Sequence, residues 1–318
     1  MDKILKNLVG IRTNVLLKNY TTYKIGGVAK YFFVAKNVES LLSALKASKE
    51  SKSPVFILGG GSNLLISDKG FRGIVIKINM QDVEFLGDKV TVGAGESLAK
   101  LAHSTASKGL SGLEWAAGIP GATVGGSIYG HAQAFGVRIS DAVESVQAIN
   151  SKTLELKNFT KEQCRFSLKN SIFKKNKNLI IVSAVLKFKQ ADPKEIKNKI
   201  DEFLVYRKTK HPVNFPSAGS TFVNPEIKIK NKKLLEKYLE LKEFNEKGTI
   251  PAGYLIAKCG LAGKKIGNAK IAEQHANFII NLGEAKAKDV LALMNLAKTK
   301  VKKTFGINLE TEVQFVGF

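Results

Sequence analysis

The sequence has few of the residues that mark secreted or metal-binding proteins. It contains two cysteines and four histidines among 318 residues, and Cys164 and Cys259 lack the paired spacing of a metal site or a disulfide framework. No cluster of His, Cys, Asp and Glu has metal-ligand spacing, so we expect no bound metal. Two isolated cysteines fit a reducing compartment, and we expect a cytoplasmic protein.

Long apolar runs are also missing. The N-terminal segment MDKILKNLVGIRTNVLLKN carries charges every few residues and lacks the uninterrupted apolar core of a secretory signal. The longest uncharged stretch, residues 115–137, has the length to cross a bilayer but contains Pro120 and six glycines. We therefore expect neither a secretory signal nor a membrane span.

Acidic residues are scarce beside basic ones, 27 against 50, which leaves a formal net charge of +23. Such a charge can serve nucleic-acid binding through phosphate neutralisation. The lysines are spread along the whole chain, however, and no RNP signature, zinc-finger spacing or basic zipper accompanies them. We expect no nucleic-acid partner and interpret the charge as a solvated surface, or as a field that attracts small anionic ligands.

Helices and strands alternate along a chain that is long enough for one large domain or two to three smaller ones. Predicted helices cover residues 38–49, 97–108 and about 288–305, the last closed by Gly306. Predicted strands cover residues 54–58, 64–66, 73–78, 142–150, 179–188 and 312–316, with a hairpin at 83–86 and 89–92. Residues 226–248 are rich in charge and carry little structural information.

Two glycine-rich stretches stand out: LGGGSNLLISDKGFRG at 58–73 and GLEWAAGIPGATVGGSIYGHAQAFG at 112–136. A dinucleotide-binding motif would need a third glycine where Leu64 stands, followed by a helix, and a Walker loop is absent too. The triplet Gly59–Gly61 could therefore be a tight turn that binds nothing, or a nest of N–H groups around a phosphate. Two such loops suggest one extended ligand that approaches the backbone closely.

The chain resembles the UDP-N-acetylenolpyruvoylglucosamine reductase family in six blocks that follow the family order. They are NYTTYKIGGVAKYF, ILGGGSNLLISDKGFRG, GLEWAAGIPGATVGGSI, PSAGSTFVNP, AGYLIAKCGLAGKKIGNAKIAEQHANFIINLG and LETEVQFVG. The short spacing between the fourth and fifth blocks resembles the family's type II. The resemblance implies an α+β fold, in which a two-lobed FAD-binding domain of the vanillyl-alcohol-oxidase (PCMH) type precedes a smaller α+β substrate-binding domain. The implied boundaries are 1–80 and 81–203 for the two flavin lobes and 204–318 for the substrate domain.

The same resemblance implies a bacterial cytoplasmic enzyme with FAD as cofactor and NADPH as hydride donor. It would reduce the enolpyruvyl group of a UDP-sugar, UDP-N-acetylglucosamine enolpyruvate, to UDP-N-acetylmuramate for peptidoglycan synthesis. Nothing in the resemblance fixes an oligomeric state. Two alternatives remain open: another flavin oxidoreductase of the same fold, and a degenerate basic binding protein without catalytic activity.

Flavin-binding residues are implied in both glycine-rich stretches: Gly59, Gly60, Gly61, Ser62, Asn63, Gly118, Pro120, Gly121, Gly125 and Gly126. Ser220 matches the family's proton donor, although a serine between glycine and threonine is also an ordinary turn residue. Glu312, rather than Glu310, matches the active-site glutamate, because the family pattern places that residue directly before a valine. Asn224 and His275 are implied in substrate binding, with a purely structural histidine as the alternative.

The sequence departs from the family pattern at the third catalytic position. A tyrosine–arginine pair is expected in FSLKNS, and Leu168 and Lys169 stand there instead. Lysine keeps the positive charge but loses the bidentate fork of arginine. The segment HAQAFG, which begins at His131, and Val223 also depart from the pattern. We expect Lys169 to take the arginine's role.

Overall fold

The computed structural model describes residues 2–318, which separate into two compact units. The first unit contains the residues up to Leu16, Val28–Gly61 and Gly70–Arg207. The second unit contains Leu17–Gly27, Ser62–Lys69 and Lys208–Phe318. Each unit has its own hydrophobic core.

The α-helices of the described residues are α1 (Asp2–Lys6), α2 (Val38–Glu50), α3 (Leu98–Ala106), α4 (Val124–Gly130), α5 (Ile139–Ala142), α6 (Ile172–Lys175), α7 (Pro193–Lys210), α8 (Lys232–Lys237), α9 (Glu240–Lys247), α10 (Ala252–Lys258) and α11 (Ala287–Phe305). Two short 3₁₀ helices cover Leu17–Tyr20 and Glu114–Ala116.

The β-strands are β1 (Arg12–Leu16), β2 (Val28–Ala35), β3 (Val55–Leu58), β4 (Leu64–Ile66), β5 (Phe71–Ile78), β6 (Val83–Leu86), β7 (Lys89–Gly93), β8 (Leu110–Ser111), β9 (Gln133–Ala134), β10 (Val137–Arg138), β11 (Val143–Asn150), β12 (Leu156–Thr160), β13 (Leu179–Lys187), β14 (Lys189–Gln190), β15 (Ser217–Ser220), β16 (Lys265–Ile266), β17 (Ala269–Ile271), β18 (Phe278–Asn281) and β19 (Gln314–Val316).

Two main sheets build the first unit. One has the strand order β1-β2-β5-β3, with β5 parallel to both of its neighbours, and the other is antiparallel with the order β12-β11-β13-β7-β6. Helix α2 connects β2 to β3 and begins with a capping box, in which Asn37 Oδ1 accepts the Ser40 N–H at 2.9 Å. Its buried face, with Leu41 and Leu45, joins Ile74 and Ile76 of β5 in one core.

The second unit combines the antiparallel sheet β15-β18-β17-β16 with the parallel pair β4 and β19. Helix α11 buries an apolar stripe that includes Val290, Met294 and Val301 in the core of this unit. The helix begins where the Asp68 carboxylate accepts the Ala287 N–H at 2.9 Å. It ends at Gly306, whose φ is +74°.

Two short segments, residues 17–27 and 62–69, belong to the second unit although long stretches of the first unit flank them in sequence. Gly27 N–H donates to the Ser67 carbonyl at 2.9 Å, and Ser67 N–H donates to the Val316 carbonyl at 2.8 Å. These bonds join chain segments that lie far apart in sequence, so no local pattern indicates them. The predicted boundaries at 80/81 and 203/204 stay predictions.

The structure confirms the predicted element type in every segment with a clear apolar period, including α2, α3, α11 and the β6–β7 hairpin. The predicted strand at 312–316 begins only at Gln314. Eight of the eleven α-helices within residues 2–318 were not predicted: α1, α4, α5, α6, α7, α8, α9 and α10. Helix α4 reads VGGSIYG, with three glycines that disfavour a helix, and α7 buries only Ile196 and Ile200 along its 18 residues.

None of the helices within residues 2–318 has both the length and the apolar character needed to cross a bilayer.

Candidate functional site

The triple-glycine turn of the first unit lies against the second glycine-rich stretch. A Cβ atom placed on Gly60 would overlap the carbonyl oxygen of Gly121, and one placed on Gly59 would lie 2.8 Å from Thr123 Oγ1. Gly61 adopts φ +70°, a conformation that favours glycine. The protein's own backbone therefore requires glycine here, whether or not a ligand is bound.

The second stretch is packed just as closely. A Cβ atom on Gly125 would lie 2.7 Å from Ala94 Cβ, and one on Gly118 would lie 2.8 Å from Arg207 Cδ. Gly121 adopts φ +64°. Thr123 caps α4 by accepting the N–H of Gly126 at 3.3 Å. Pro120 and Gly126 are exposed.

The two turns leave hydrogen-bond donors open. The N–H groups of Gly60, Gly61 and Gly121 donate no hydrogen bond to any described residue of the first unit. Adjacent unpaired N–H groups on glycine backbone form the kind of concave donor set that binds phosphate oxygens. The pyrophosphate of FAD fits this donor set.

Lys77 is a candidate that the motif analysis missed. Its Nζ donates to the carbonyl of Gly59 at 3.2 Å, and burial lowers the pKa of this lysine. The sequence could have indicated this residue, because it is a charged residue in the otherwise apolar run GIVIKI of β5. The contact places a positive charge at the base of the glycine turn.

Arg207 is a second missed residue of the first unit. Its Nη2 donates to the Trp115 carbonyl at 3.3 Å, and its guanidinium lies 5.3 Å from the centre of the Phe135 ring. Its Nε is buried and has no hydrogen-bond partner among the described residues. Burial lowers the pKa of this arginine, which supports the backbone next to Gly118.

Lys169 occupies the third position of a tight turn from Ser167 to Asn170. The two end residues exchange backbone hydrogen bonds of 3.0 Å, and Lys169 adopts φ +52°. The side chain of Lys169 is half-buried, whereas Leu168 is 41% exposed. Arg165, the nearby arginine, is exposed.

Glu312 lies beside the chain segment that contains Ser220 in the second unit. The Thr221 carbonyl, one residue after Ser220, accepts the Glu312 N–H at 2.9 Å. The pairing of β15 with β18 is irregular between Ser217 and Ser220, and Gly219 adopts φ +75° at this point. Glu312 is half-buried while Glu310 is exposed, and the choice between the two carboxylates stays a prediction.

Asn63 belongs to the same group of residues in the second unit, and Ser62 precedes it. Its Nδ2 donates to the Glu312 carbonyl at 3.1 Å, and its own carbonyl accepts the Gln314 N–H at 3.0 Å. The Oδ1 atom of Asn63 is buried and has no donor among the described residues. A buried amide oxygen without a donor is uncommon, and a ligand hydroxyl or N–H group would satisfy it.

Asn277 holds the Ser220 segment in place and was missed by the sequence analysis. The side chain is 2% exposed, accepts the Phe222 N–H at 3.0 Å and donates to the Phe222 carbonyl at 2.8 Å. Its backbone carbonyl accepts the Thr221 N–H at 2.7 Å. The signal was a polar residue directly before the apolar strand β18.

His275 and Asn224 both make structural hydrogen bonds. His275 Nδ1 accepts the Asn277 N–H at 3.4 Å, and burial lowers the pKa of the imidazole. Asn224 is exposed, and its Oδ1 accepts the N–H of Ala252 at the start of α10 at 3.0 Å. These bonds do not test the predicted substrate contacts, which stay predictions.

In the part of the chain that the structure describes, no three His, Cys, Asp or Glu side chains could hold a metal ion together. Cys164 is buried, and burial raises the pKa of its thiol to about 12.

Two sequence families match the chain in successive regions. Residues 29–154 match the family described as FAD binding domain. Residues 211–316 match the family described as UDP-N-acetylenolpyruvoylglucosamine reductase, C-terminal domain. These matches and the mixed helices and strands confirm the predicted fold class, an α+β chain with a flavin domain of the vanillyl-alcohol-oxidase type before a smaller C-terminal domain.

Relatives are similar over the full length of the chain. UDP-N-acetylenolpyruvoylglucosamine reductase from Halalkalibacterium halodurans is 38% identical, with 96% of this chain and 94% of the relative covered. The protein of the same name from Bacillus subtilis is 37% identical, with 100% and 99% covered. The crystal structure of the reductase from Thermus caldophilus superposes with a TM-score of 0.76 at 32% identity and covers 96% of this chain and 99% of that one. The chain therefore belongs to the UDP-N-acetylenolpyruvoylglucosamine reductase family.

Proposed function

We propose that this protein is an FAD-dependent enzyme of peptidoglycan synthesis that uses NADPH to reduce the enolpyruvyl group of UDP-N-acetylglucosamine enolpyruvate to UDP-N-acetylmuramate. The observation that carries the proposal is the backbone hydrogen bond from Glu312 to Thr221, the residue after Ser220, in the region that matches the reductase C-terminal family. An acid and a carboxylate on neighbouring segments suit a reaction that adds a hydride and a proton to a double bond.

The glycine-rich residues of the first unit form the proposed FAD site, together with Ser62 and Asn63. The open N–H groups of Gly60, Gly61 and Gly121 would bind the pyrophosphate, and Lys77 would add a positive charge behind the turn. The remaining proposed contacts are Gly59, Gly118, Pro120, Gly125 and Gly126. Bound FAD supplies the hydride relay from NADPH to the enolpyruvyl group.

Two tasks remain for the protein's own side chains. Ser220 would donate a proton to the substrate carbon next to the carboxylate, a role that a hydroxyl performs only when its geometry is well fixed. Lys169 would stabilise the negative charge that develops toward the substrate carboxylate, and Glu312 would lie at the reacting end of the substrate. Asn224 and His275 would contact the sugar nucleotide.

We further propose a cytoplasmic enzyme without a nucleic-acid partner, built from two flavin lobes (1–80 and 81–203) and a substrate domain (204–318). The net charge of +23 then serves the attraction of its ligands, since NADPH, FAD and the UDP-sugar are all anions.

The test follows the two halves of the reaction. We call the bleaching of the flavin spectrum by NADPH the NADPH half-reaction, and its recovery on addition of the UDP-sugar the enolpyruvyl half-reaction. The purified protein should be yellow and complete both, and mass spectrometry should detect a product two hydrogens heavier than the substrate. Because no separate dinucleotide motif exists, NADPH and the sugar nucleotide should compete and give parallel initial-rate lines.

The alternatives give different results. A yellow protein that NADPH bleaches but the UDP-sugar does not restore would be another flavin oxidoreductase. A colourless protein that does not take up FAD would be a basic binding protein without this activity. Intersecting initial-rate lines would refute the shared site for NADPH and substrate.

A further inference from the structure

His131 is a buried residue of the first unit whose two ring nitrogens are both hydrogen-bonded. It follows α4, adopts φ +48° and is 4% exposed. Nδ1 lies 2.5 Å from the Ser167 carbonyl oxygen, and Nε2 lies 2.8 Å from Ser140 Oγ. A carbonyl oxygen can only accept, so Nδ1 carries the proton and Nε2 accepts the hydroxyl hydrogen of Ser140.

The surroundings favour the neutral ring. Burial lowers the pKa of His131, and the positive charges of Arg138 and Lys169 lower it further. The Ser167 carbonyl and Asp141 act in the opposite direction but do not outweigh these effects. The neutral tautomer with a proton on Nδ1 therefore persists near neutral pH, and its hydrogen bond to Ser167 is retained.

That hydrogen bond reaches the turn that carries Lys169. The Ser167 carbonyl accepts both the Asn170 N–H, which closes the turn, and Nδ1–H of His131. The Phe166 ring packs 4.9 Å from the imidazole, centre to centre. Lysine seldom adopts the left-handed conformation of Lys169, and such a conformation persists only where surrounding contacts hold it.

The chain just after the Lys169 turn is hydrogen-bonded to α4, the helix that precedes His131. Ser171 Oγ donates to the carbonyl of Tyr129, a residue of α4, at 2.8 Å, and Lys174 Nζ donates to the Lys169 carbonyl at 2.8 Å. Helix α4 begins directly after the second glycine-rich turn. The Lys169 turn is therefore held against the C-terminal end of α4, the helix that begins at the second glycine-rich turn.

We propose that His131 is a positioning residue, which holds the turn from Ser167 to Asn170 so that the Lys169 ammonium keeps one geometry during the enolpyruvyl half-reaction. This inference rests on the proposed function, in which Lys169 stabilises charge on the substrate. The sequence departs from its family pattern in the segment that begins at His131 and at Lys169, and the structure joins these two departures through Ser167.

Two substitutions of His131 separate the loss of its hydrogen bond to Ser167 from the loss of the imidazole ring itself. His131→Leu removes the donor to Ser167. His131→Asn places an amide nitrogen where Nδ1 stands, and asparagine tolerates the left-handed conformation. The control is His103→Leu, which replaces an exposed histidine on α3 of the same unit. All variants are studied with FAD bound, and flavin content and both half-reactions are measured by stopped flow.

We expect His131→Leu to slow the enolpyruvyl half-reaction by about ten- to a hundredfold, the size of effect that a misplaced catalytic group produces. Flavin content and the NADPH half-reaction should change little, and His131→Asn should recover most of the lost rate. Amide hydrogen exchange at Asn170 should be faster in His131→Leu and close to wild type in His131→Asn. Equal rates in wild type and His131→Leu, or equal slowing of both half-reactions, would overturn the proposal.

A double-mutant cycle with Lys169→Met tests whether His131 acts through Lys169. In the Lys169→Met background, His131→Leu should cause no further loss, and a full additional loss would refute the proposal. If Lys169→Met alone leaves the enolpyruvyl half-reaction unchanged, this inference is wrong while the reductase activity stands. A wild-type protein that does not turn over the UDP-sugar would instead refute the proposed function.

Discussion

The glycine-rich turns of the first unit and the Ser220 segment of the second unit hold their candidate groups in opposite ways. In the first unit, backbone packs on backbone so closely that Gly60 has no room for a side chain beside Gly121. In the second unit, the buried amide of Asn277 holds the strand through hydrogen bonds to Phe222. Substitutions in the turns should therefore act through steric overlap with the neighbouring backbone. Substitutions around Ser220 should act by removing hydrogen bonds or a catalytic group.

The backbone donors differ in the same way. The N–H groups of Gly60 and Gly61 stay open within the first unit, whereas those of Thr221, Phe222 and Glu312 are all engaged within the second. Open backbone donors suit an invariant anion such as a pyrophosphate. Engaged backbone leaves recognition and proton transfer to side chains, which suits a substrate that must enter and leave.

The largest expected effect comes from breaking the backbone contact in the first unit. Gly60→Ala, and more severely Gly60→Val, should yield a folded protein without bound FAD, because the new Cβ displaces the turn at Gly121. Gly130→Ala is the control, since a Cβ there meets no atom within 4 Å. Flavin absorbance after purification and circular dichroism measure the result. Full flavin content in Gly60→Val would refute the flavin-turn assignment.

Next in size is the loss of the proposed acid in the second unit. Ser220→Ala should slow the enolpyruvyl half-reaction by about 10²- to 10⁴-fold, which is typical of a lost general acid. The NADPH half-reaction needs no proton from the protein and should be unchanged. Stopped-flow absorbance separates the two, and equal slowing of both would indicate a structural serine.

Lys169 tests charge stabilisation in the first unit. Lys169→Met should slow the enolpyruvyl half-reaction by about 10²-fold, as the loss of one charge-stabilising donor does elsewhere. Lys169→Arg should be faster than wild type, because a guanidinium can hold a carboxylate with two hydrogen bonds. Lys175→Met, at an exposed lysine of α6, is the control. Identical rates in the three Lys169 proteins would place this residue outside the site.

Asn277→Ala sharpens the comparison by removing the hydrogen bonds that hold the Ser220 segment. It leaves the N–H and carbonyl of buried Phe222 unpaired, which should cost about 1–3 kcal/mol of unfolding free energy. Asn295→Ala, at an exposed position of α11, should have little effect. Thermal unfolding with FAD bound measures both. A melting temperature equal to that of wild type would show that Asn277 does not hold the strand.

The smallest effect is a pH dependence of stability. Burial lowers the pKa of His275 from its ordinary value of 6.5, so the folded protein binds fewer protons than the unfolded chain below that pH. Its contribution to stability is complete above pH 6.5 and is lost as the pH falls through the lowered pKa. His275→Gln should therefore lose less unfolding free energy on acidification than wild type in denaturant titrations. An identical pH dependence would contradict the assigned environment of His275.

Local periodicity predicted three of the eleven α-helices and eight of the nineteen β-strands within residues 2–318. These are elements such as α11 and β5, whose apolar stripe or alternation is visible within a few residues. Helices α7, α8 and α9 were not predicted because few of their residues are buried, so their sequences lack a clear apolar stripe. The family blocks identified the glycine-rich turns and selected Ser220 and Glu312 by position in a motif.

The sequence by itself determined the fold class, the family and the two glycine-rich turns, since each depends on residues close together in the chain. Only the tertiary structure decided that residues 62–69 belong to the second unit, that Asn63 binds the Glu312 backbone, and that His131 supports the Lys169 turn. Asn63 and Glu312 lie 249 residues apart. A hydrogen bond over such a separation leaves no periodic trace in a single sequence, because its partners meet only after the strands between them have paired.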